Sequence, residues 1–336
     1  CPPTPEAAGG EFCLLSRVRV GFNPTAVVVT PDNAYVYVAN TGDRSVSKID
    51  TAGRRVVSTI ELGIPPQWLT LAPGRGWVCV AAGAGEEHVL FLVDMAGNYQ
   101  VAKIDLPYTP ERIVVDEEET YAYLTTADAA VVMVVNLERR KAVQNIAVNG
   151  RTSGLALTPD GRQLYVTTRS DRFNLAVVST TERSVTARAR AGASPSAVVM
   201  DPAGMYAYAV NTDSNDVSLV HLPTQHNSLD LPVGPKPVAA AVSPAGRYLY
   251  VTCQQDRSLV VVDTQATTVV ARLELGVVPW GVAVAPDGRT LYVANYEAGG
   301  GGAAVSRAWP DATIGTRADA RVNNNSLLVV DPGPYH

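Results

Sequence analysis

Residues 238–263 read VAAAVSPAGRYLYVTCQQDRSLVVVD. An apolar run, Val238–Val242, meets a Pro244-Ala245-Gly246 turn. Tyr248–Thr252 then alternates, a polar loop follows, and Ser258–Asp263 is apolar again. Thr268–Leu275 adds a fourth, mixed run. β-branched and aromatic residues between turn residues indicate four short strands. No window sustains the spacing of an amphipathic helix without a Gly or Pro break. The phrase recurs at Pro31, Pro73, Val115, Pro159, Pro202, Pro244 and Pro286, in steps of 42, 42, 44, 43, 42 and 42 residues. Seven units of that length predict an all-β, seven-bladed β-propeller of four-stranded blades.

The two ends of the chain read as one blade. Around Pro286 the last unit supplies strands over Trp280–Ala285 and Thr290–Asn295, then a third over Ser326–Asp331, and stops. Upstream of the first unit, Leu15–Gly21 (LSRVRVG) matches Val270–Gly276 (VARLELG). The segment 12–20 is therefore predicted as the outer strand of blade seven, closing the ring and covering an edge that would otherwise pair with other chains. The expected organisation is a tether over 1–11, one propeller over 12–331 with an insertion at 296–325, and a short tail, 332–336.

Bulk properties bound the function. A net charge of −5 over 336 residues excludes a broad nucleic-acid surface, which needs clustered Lys and Arg. No apolar run approaches the ~18 residues of a membrane helix. The four cysteines, Cys1, Cys13, Cys79 and Cys253, show no metal-type spacing. Cys1 precedes a loose Pro-rich run, as in a processed lipoprotein whose first cysteine carries the lipid. A Cys1–Cys13 disulfide is the other reading.

Tyr-Val-Ala-Asn at Tyr37–Asn40 and Tyr292–Asn295, Tyr-Val-Thr-Thr at Tyr165–Thr168 and Tyr-Val-Thr-Cys at Tyr250–Cys253 resemble the YVTN repeat. So do Ser45–Asp50 and Ser258–Asp263. The resemblance spans about residues 12–331. It implies a propeller of the surface-layer and periplasmic type, with amine dehydrogenase, haem-d1 and lactonase propellers as relatives. It implies a periplasmic or cell-surface location, with membrane contact through a lipid on Cys1 at most. Blades at Trp77–Val80 and Tyr123–Thr126 lack the motif's Asn, which reads as a loop brace.

Propellers place ligands on one face, around the channel mouth. Following the residue that opens each inner strand, the blades give Thr25-Ala26, Gln67-Trp68, Glu111-Arg112, Ser153-Gly154, Ser196-Ala197, Val238-Ala239 and Trp280-Gly281. The second position is small in five blades, and Trp68 and Arg112 break that rule. Gln67, Trp68, Glu111, Arg112 and Trp280, with Tyr296, Glu297 and Trp309 of the insertion, form the candidate site. It reads either as an aromatic pocket with an Arg anchor for an anionic or planar ligand, or as a channel plug. Long loops in compact folds are usually functional or disordered, and the insertion is expected to lie over the mouth.

Catalytic signatures are not legible. His88, His221, His226 and His336 lack metal spacing, and no nucleophile elbow exists. The acidic loops (Asp43, Asp128, Asp171, Asp213, Asp256, Glu297) leave open a divalent cation, and no other cofactor is expected. The expected function is a monomeric, non-catalytic binding or scaffold protein of the cell envelope, holding a protein partner or small ligand. The alternative is an enzyme or enzyme subunit, a lactonase-like metal-dependent hydrolase or a dehydrogenase-associated propeller.

Overall fold

The computed structural model describes residues 13–170, 173–296 and 326–333. They form seven antiparallel four-stranded sheets. Six are consecutive in the chain. The seventh runs Pro279–Val284, Leu291–Asn295, Ser326–Asp331 and, outermost, Cys13–Arg19. The closing strand ends at Arg19, one residue short of the 12–20 segment expected, and Phe12 lies outside the described residues. It pairs Val18 with Leu327 and Arg17 with Leu328, and it bulges between Leu14 and Ser16.

Each Pro-x-Gly turn is dictated locally. Gly161, Gly204, Gly246 and Gly288 take φ between +66° and +77°, a region that costs glycine nothing. In blades one and three Asn33 and Glu119 occupy the same left-handed region.

The core lies between blades. Tyr37, Val46 and Ile60 of blade one pack with Leu69, Val80 and Phe91 of blade two. Val18 and Val20 pack with Val27, Val36 and Val38, so the closing segment binds blade seven to blade one. Outer strands alternate, as Arg55–Glu61 does, with Ile60 buried and its neighbours exposed. The second-strand tyrosines are packing residues. Burial pushes the Tyr123, Tyr165 and Tyr208 hydroxyls up to about 12.

The repeat asparagine is a brace. Asn40 Nδ2 donates to Ser45 Oγ at 3.1 Å and Ser47 Oγ at 2.9 Å. Asn211 Nδ2 donates to Asp216 Oδ1 at 2.7 Å and Ser218 Oγ at 2.8 Å. Blade three substitutes Thr126, whose hydroxyl donates to the Ala129 carbonyl at 2.7 Å. Blade two has Ala82 there and instead extends its hairpin to Ala84 and Glu87. Asn211→Ala is expected to lower unfolding free energy by about 1–2 kcal/mol, because the buried partners lose a donor. Urea titration measures this, and an unchanged midpoint would refute the brace.

Cys79 and Cys253 are buried, and burial pushes both thiols up to about 12. Thiolate is the reactive form. Both cysteines should therefore resist alkylation at pH 8 in the folded protein and label fully in denaturant. Peptide mapping reads the sites directly.

Candidate functional site

The loops that lead into the inner strands and those that leave the second strands lie on one face because the backbone clasps them together. In six of the seven blades a residue at the end of the second strand, or just past it, donates its N–H to the residue preceding the opening residue of the inner strand. Thr41 donates to Asn23, Gly83 to Pro65, Ala127 to Thr109, Thr212 to Ser194, Gln254 to Lys236 and Tyr296 to Val278, at 2.8–3.1 Å. Each inner strand then starts with a register shift, as between Pro66 and Trp68 or Pro110 and Ile113. Such bulges re-aim side chains. Here the second position after the opening residue abuts the next blade: Ala26, Ala197 and Ala239 are buried in inter-blade cores, and the next blade's backbone stands 2.5 Å and 2.7 Å from where a Cβ at Gly154 or Gly281 would lie. The larger Trp68 and Arg112 reach the cavity from this position, and first-position side chains bond to neighbouring blades.

The first positions form a hydrogen-bonded belt. Ser153 Oγ donates to Glu111 Oε1 at 2.8 Å. Thr125 Oγ1 donates to the Ser153 carbonyl at 2.6 Å, and Thr252 Oγ1 to the Trp280 carbonyl at 2.8 Å. Ser196 Oγ reaches the Val238 carbonyl at 3.3 Å. Gln67 Nε2 turns back to the Gly83 carbonyl at 3.4 Å. Glu111 and Gln67 are therefore engaged in the rim.

Trp68 and Arg112 project into the channel. The Arg112 guanidinium carbon sits 3.9 Å from the Trp68 ring centroid, a cation–π stack between adjacent blades. The two side chains share one side of the channel and leave a cavity of about 270 Å³. Gly154, Ala197 and Ala239, also second positions, line it, with Leu157, Val199 and Met200 deeper in. Arg112 is the one charged residue of that lining. Burial pulls its pKa down to about 10, against the opposing pull of Glu111, so it stays cationic at neutral pH. Among the described residues, no carboxylate forms an ion pair with it.

The candidate cluster divides in two. Trp280 does not line the cavity. Its ring lies 5.2 Å from that of Tyr296, at 49°, on the rim of blade seven. Glu297 and Trp309 lie outside the described residues, as do Cys1 and Asp171.

The loop aspartates brace their own surroundings. Asp43 Oδ2 accepts from the Phe22 N–H at 2.8 Å, and Asp213 Oδ2 from Ser194 Oγ at 2.5 Å. Asp256 pairs with Arg272. Among the described residues, no three His, Cys, Asp or Glu groups converge on one metal position. One contact was not legible in the sequence. His88 Nε2 lies 3.0 Å from Thr109 Oγ1, which donates to Asp128 Oδ2 at 2.9 Å. The threonine proton is committed to the aspartate, so this trio ties blade two to blade three and does not activate a nucleophile.

No curated protein matches the chain. Among solved structures, it resembles a Kuenenia stuttgartiensis hydrazine synthase chain at TM-score 0.74 and 18% identity, covering 82% of this chain and 93% of that one. It also resembles the Cps50 (Swd1) β-propeller domain of Myceliophteria thermophila at TM-score 0.74 and 12% identity, covering 96% and 99%. These likenesses are of fold. The sequence model of one family matches residues 9–288, most of the chain, and by that match the chain belongs to the YNCE-like β-propeller family.

Proposed function

We propose that this propeller is a non-catalytic binding protein that holds a ligand or a protein partner at its channel mouth. The observation carrying this reading is the Trp68–Arg112 stack, a guanidinium without an ion pair among the described residues, facing an open cavity of about 270 Å³. A plug would fill the lumen, whereas here the bulky pair occupies one side. Convergent polar groups in a concave apolar site are the usual marks of ligand binding. The resemblance to surface-layer and periplasmic repeats favours a cell-envelope setting, which fractionation of the producing cells tests.

A small-molecule library screened by thermal shift, against wild type and Trp68→Ala/Arg112→Ala, tests the binding reading. Hits should raise the wild-type melting temperature and leave the double variant unmoved. The variant's own melting temperature should fall, since Trp68 also packs against the cores on both sides of blade two, so each protein's ligand response is read against its own baseline. Equal responses from the two proteins would sink the site.

A further inference from the structure

The Arg112 guanidinium carbon lies 3.9 Å from the Trp68 ring centroid, and among the described residues no carboxylate pairs with it. The guanidinium fork matches a carboxylate in bidentate geometry. The second channel-facing bulky residue, Trp68, supplies the stacking face. The remaining lining carries no other charge: Val114, Ala156, Leu157, Val199 and Met200 present apolar surface to the same cavity. A guanidinium beside an apolar void is costly unless a counter-charge joins it. The cavity volume is about 270 Å³. That room admits a small organic molecule. Among the described residues Arg112 is the one cation lining the cavity, and the Glu111 carboxylate accepts from Ser153 on the rim. A second carboxylate would enter the lumen unpaired.

The geometry points to a small organic monocarboxylate as the channel's ligand, its carboxylate on the Arg112 edge and its apolar body against the inner-strand residues. This rests on the binding reading above and narrows it to a chemical class. The apolar end lies deeper, towards Leu157 and Met200, and the charged end stays beside the indole.

Isothermal titration of the full chain with benzoate provides the test, with benzamide, phthalate and inorganic phosphate as comparisons. Benzoate is expected to bind one-to-one with Kd of about 0.1–1 mM, modest because the ligand is small. Benzamide, phthalate and inorganic phosphate should each bind at least about tenfold more weakly, lacking respectively the charge, the single charge and the apolar body. Arg112→Met, which keeps the side chain long and apolar, should lose at least about 30-fold, consistent with two charge-assisted hydrogen bonds. Arg112→Lys keeps the charge without the planar fork and should lose about tenfold. Melting curves of both variants confirm folding, and the lysine variant decides the matter if the methionine variant does not fold.

No binding at about 10 mM benzoate, or benzamide or phosphate binding as tightly as benzoate, overturns the proposal. So does benzoate binding that Arg112→Met leaves within threefold. If benzoate fails while other hits still depend on Trp68 and Arg112, the carboxylate inference falls alone. If no hit depends on them, the binding reading falls with it.

Discussion

Deleting residues 1–19 is expected to prevent the ring from closing and to leave the chain aggregated or unfolded at 25 °C. The deleted strand, Cys13–Arg19, is the fourth strand of blade seven and pairs along Ser326–Asp331. Val18 is 4% exposed and contributes to the core shared by blades seven and one. Its burial is worth about 1.5–3 kcal/mol. The strand ladder adds about 0.5–1.5 kcal/mol for each hydrogen bond. Together these approach the 5–15 kcal/mol that ordinarily separates folded from unfolded domains. The strand left behind is apolar, with Leu327, Leu328 and Val330 fully buried in the intact ring. An uncovered edge of that kind recruits other strands. Size-exclusion chromatography and thermal melting should show high-order species or no cooperative transition. A synthetic peptide of residues 11–21 should restore a monomer. Cys79 and Cys253 give an independent signal, since both should become alkylated at pH 8 in the truncated chain. A truncated protein that stays monomeric and melts like wild type would refute closure by this strand. Val18→Asp is the milder version, expected to cost about 3–5 kcal/mol through a buried, unpaired charge.

That closure was readable before any coordinates because Leu15–Gly21 repeats the text of Val270–Gly276, and a repeat unit implies its own place in the array. Blade number was readable for the same reason. The site was only half readable. Trp68 and Arg112 stand out as large residues where neighbours are small, so their presence at the channel could be inferred. Their stacking could not, because it depends on the bulge that opens each inner strand and on the distance between adjacent blades. Trp280 shares their bulk, yet it occupies the first position after its proline and they occupy the second. The cavity lining takes five of the seven second positions, Trp68 and Arg112 among them, while omitting Gln67, Glu111, Ser153 and Trp280. That one-residue offset was the available signal for setting Trp280 apart. The His88–Thr109–Asp128 contact joins three separated segments, and no local pattern marks it.

Gly154→Ala is expected to cost about 3 kcal/mol, at the upper end of the usual overpacking range. A Cβ at this position would lie 2.5 Å from the Ala197 Cα and 2.9 Å from the Ala197 carbonyl carbon and the Val198 nitrogen. All three are backbone atoms, so no rotamer change relieves the contact. The inner strands of blades four and five must instead part, in a closed ring whose other blades resist the shift. Gly281→Ala meets the Thr25 carbonyl oxygen at 2.7 Å and the Ala26 Cα at 3.2 Å. A carbonyl can tilt, so the expected cost there is smaller. Because the obstacle at Gly154 is backbone, Ala197→Gly should fail to rescue Gly154→Ala. Rescue in urea titrations would mean that the contact is between side chains and that the strands are not in backbone apposition. Gly154 and Ala197 also wall the cavity beside Arg112. Gly154→Ala should therefore disturb ligand capture as well as stability, whereas Asn211→Ala, in the second strand outside that wall, should lower stability alone. Separating the two effects distinguishes a channel shaped by how closely its inner strands approach from one shaped only by the side chains it contains.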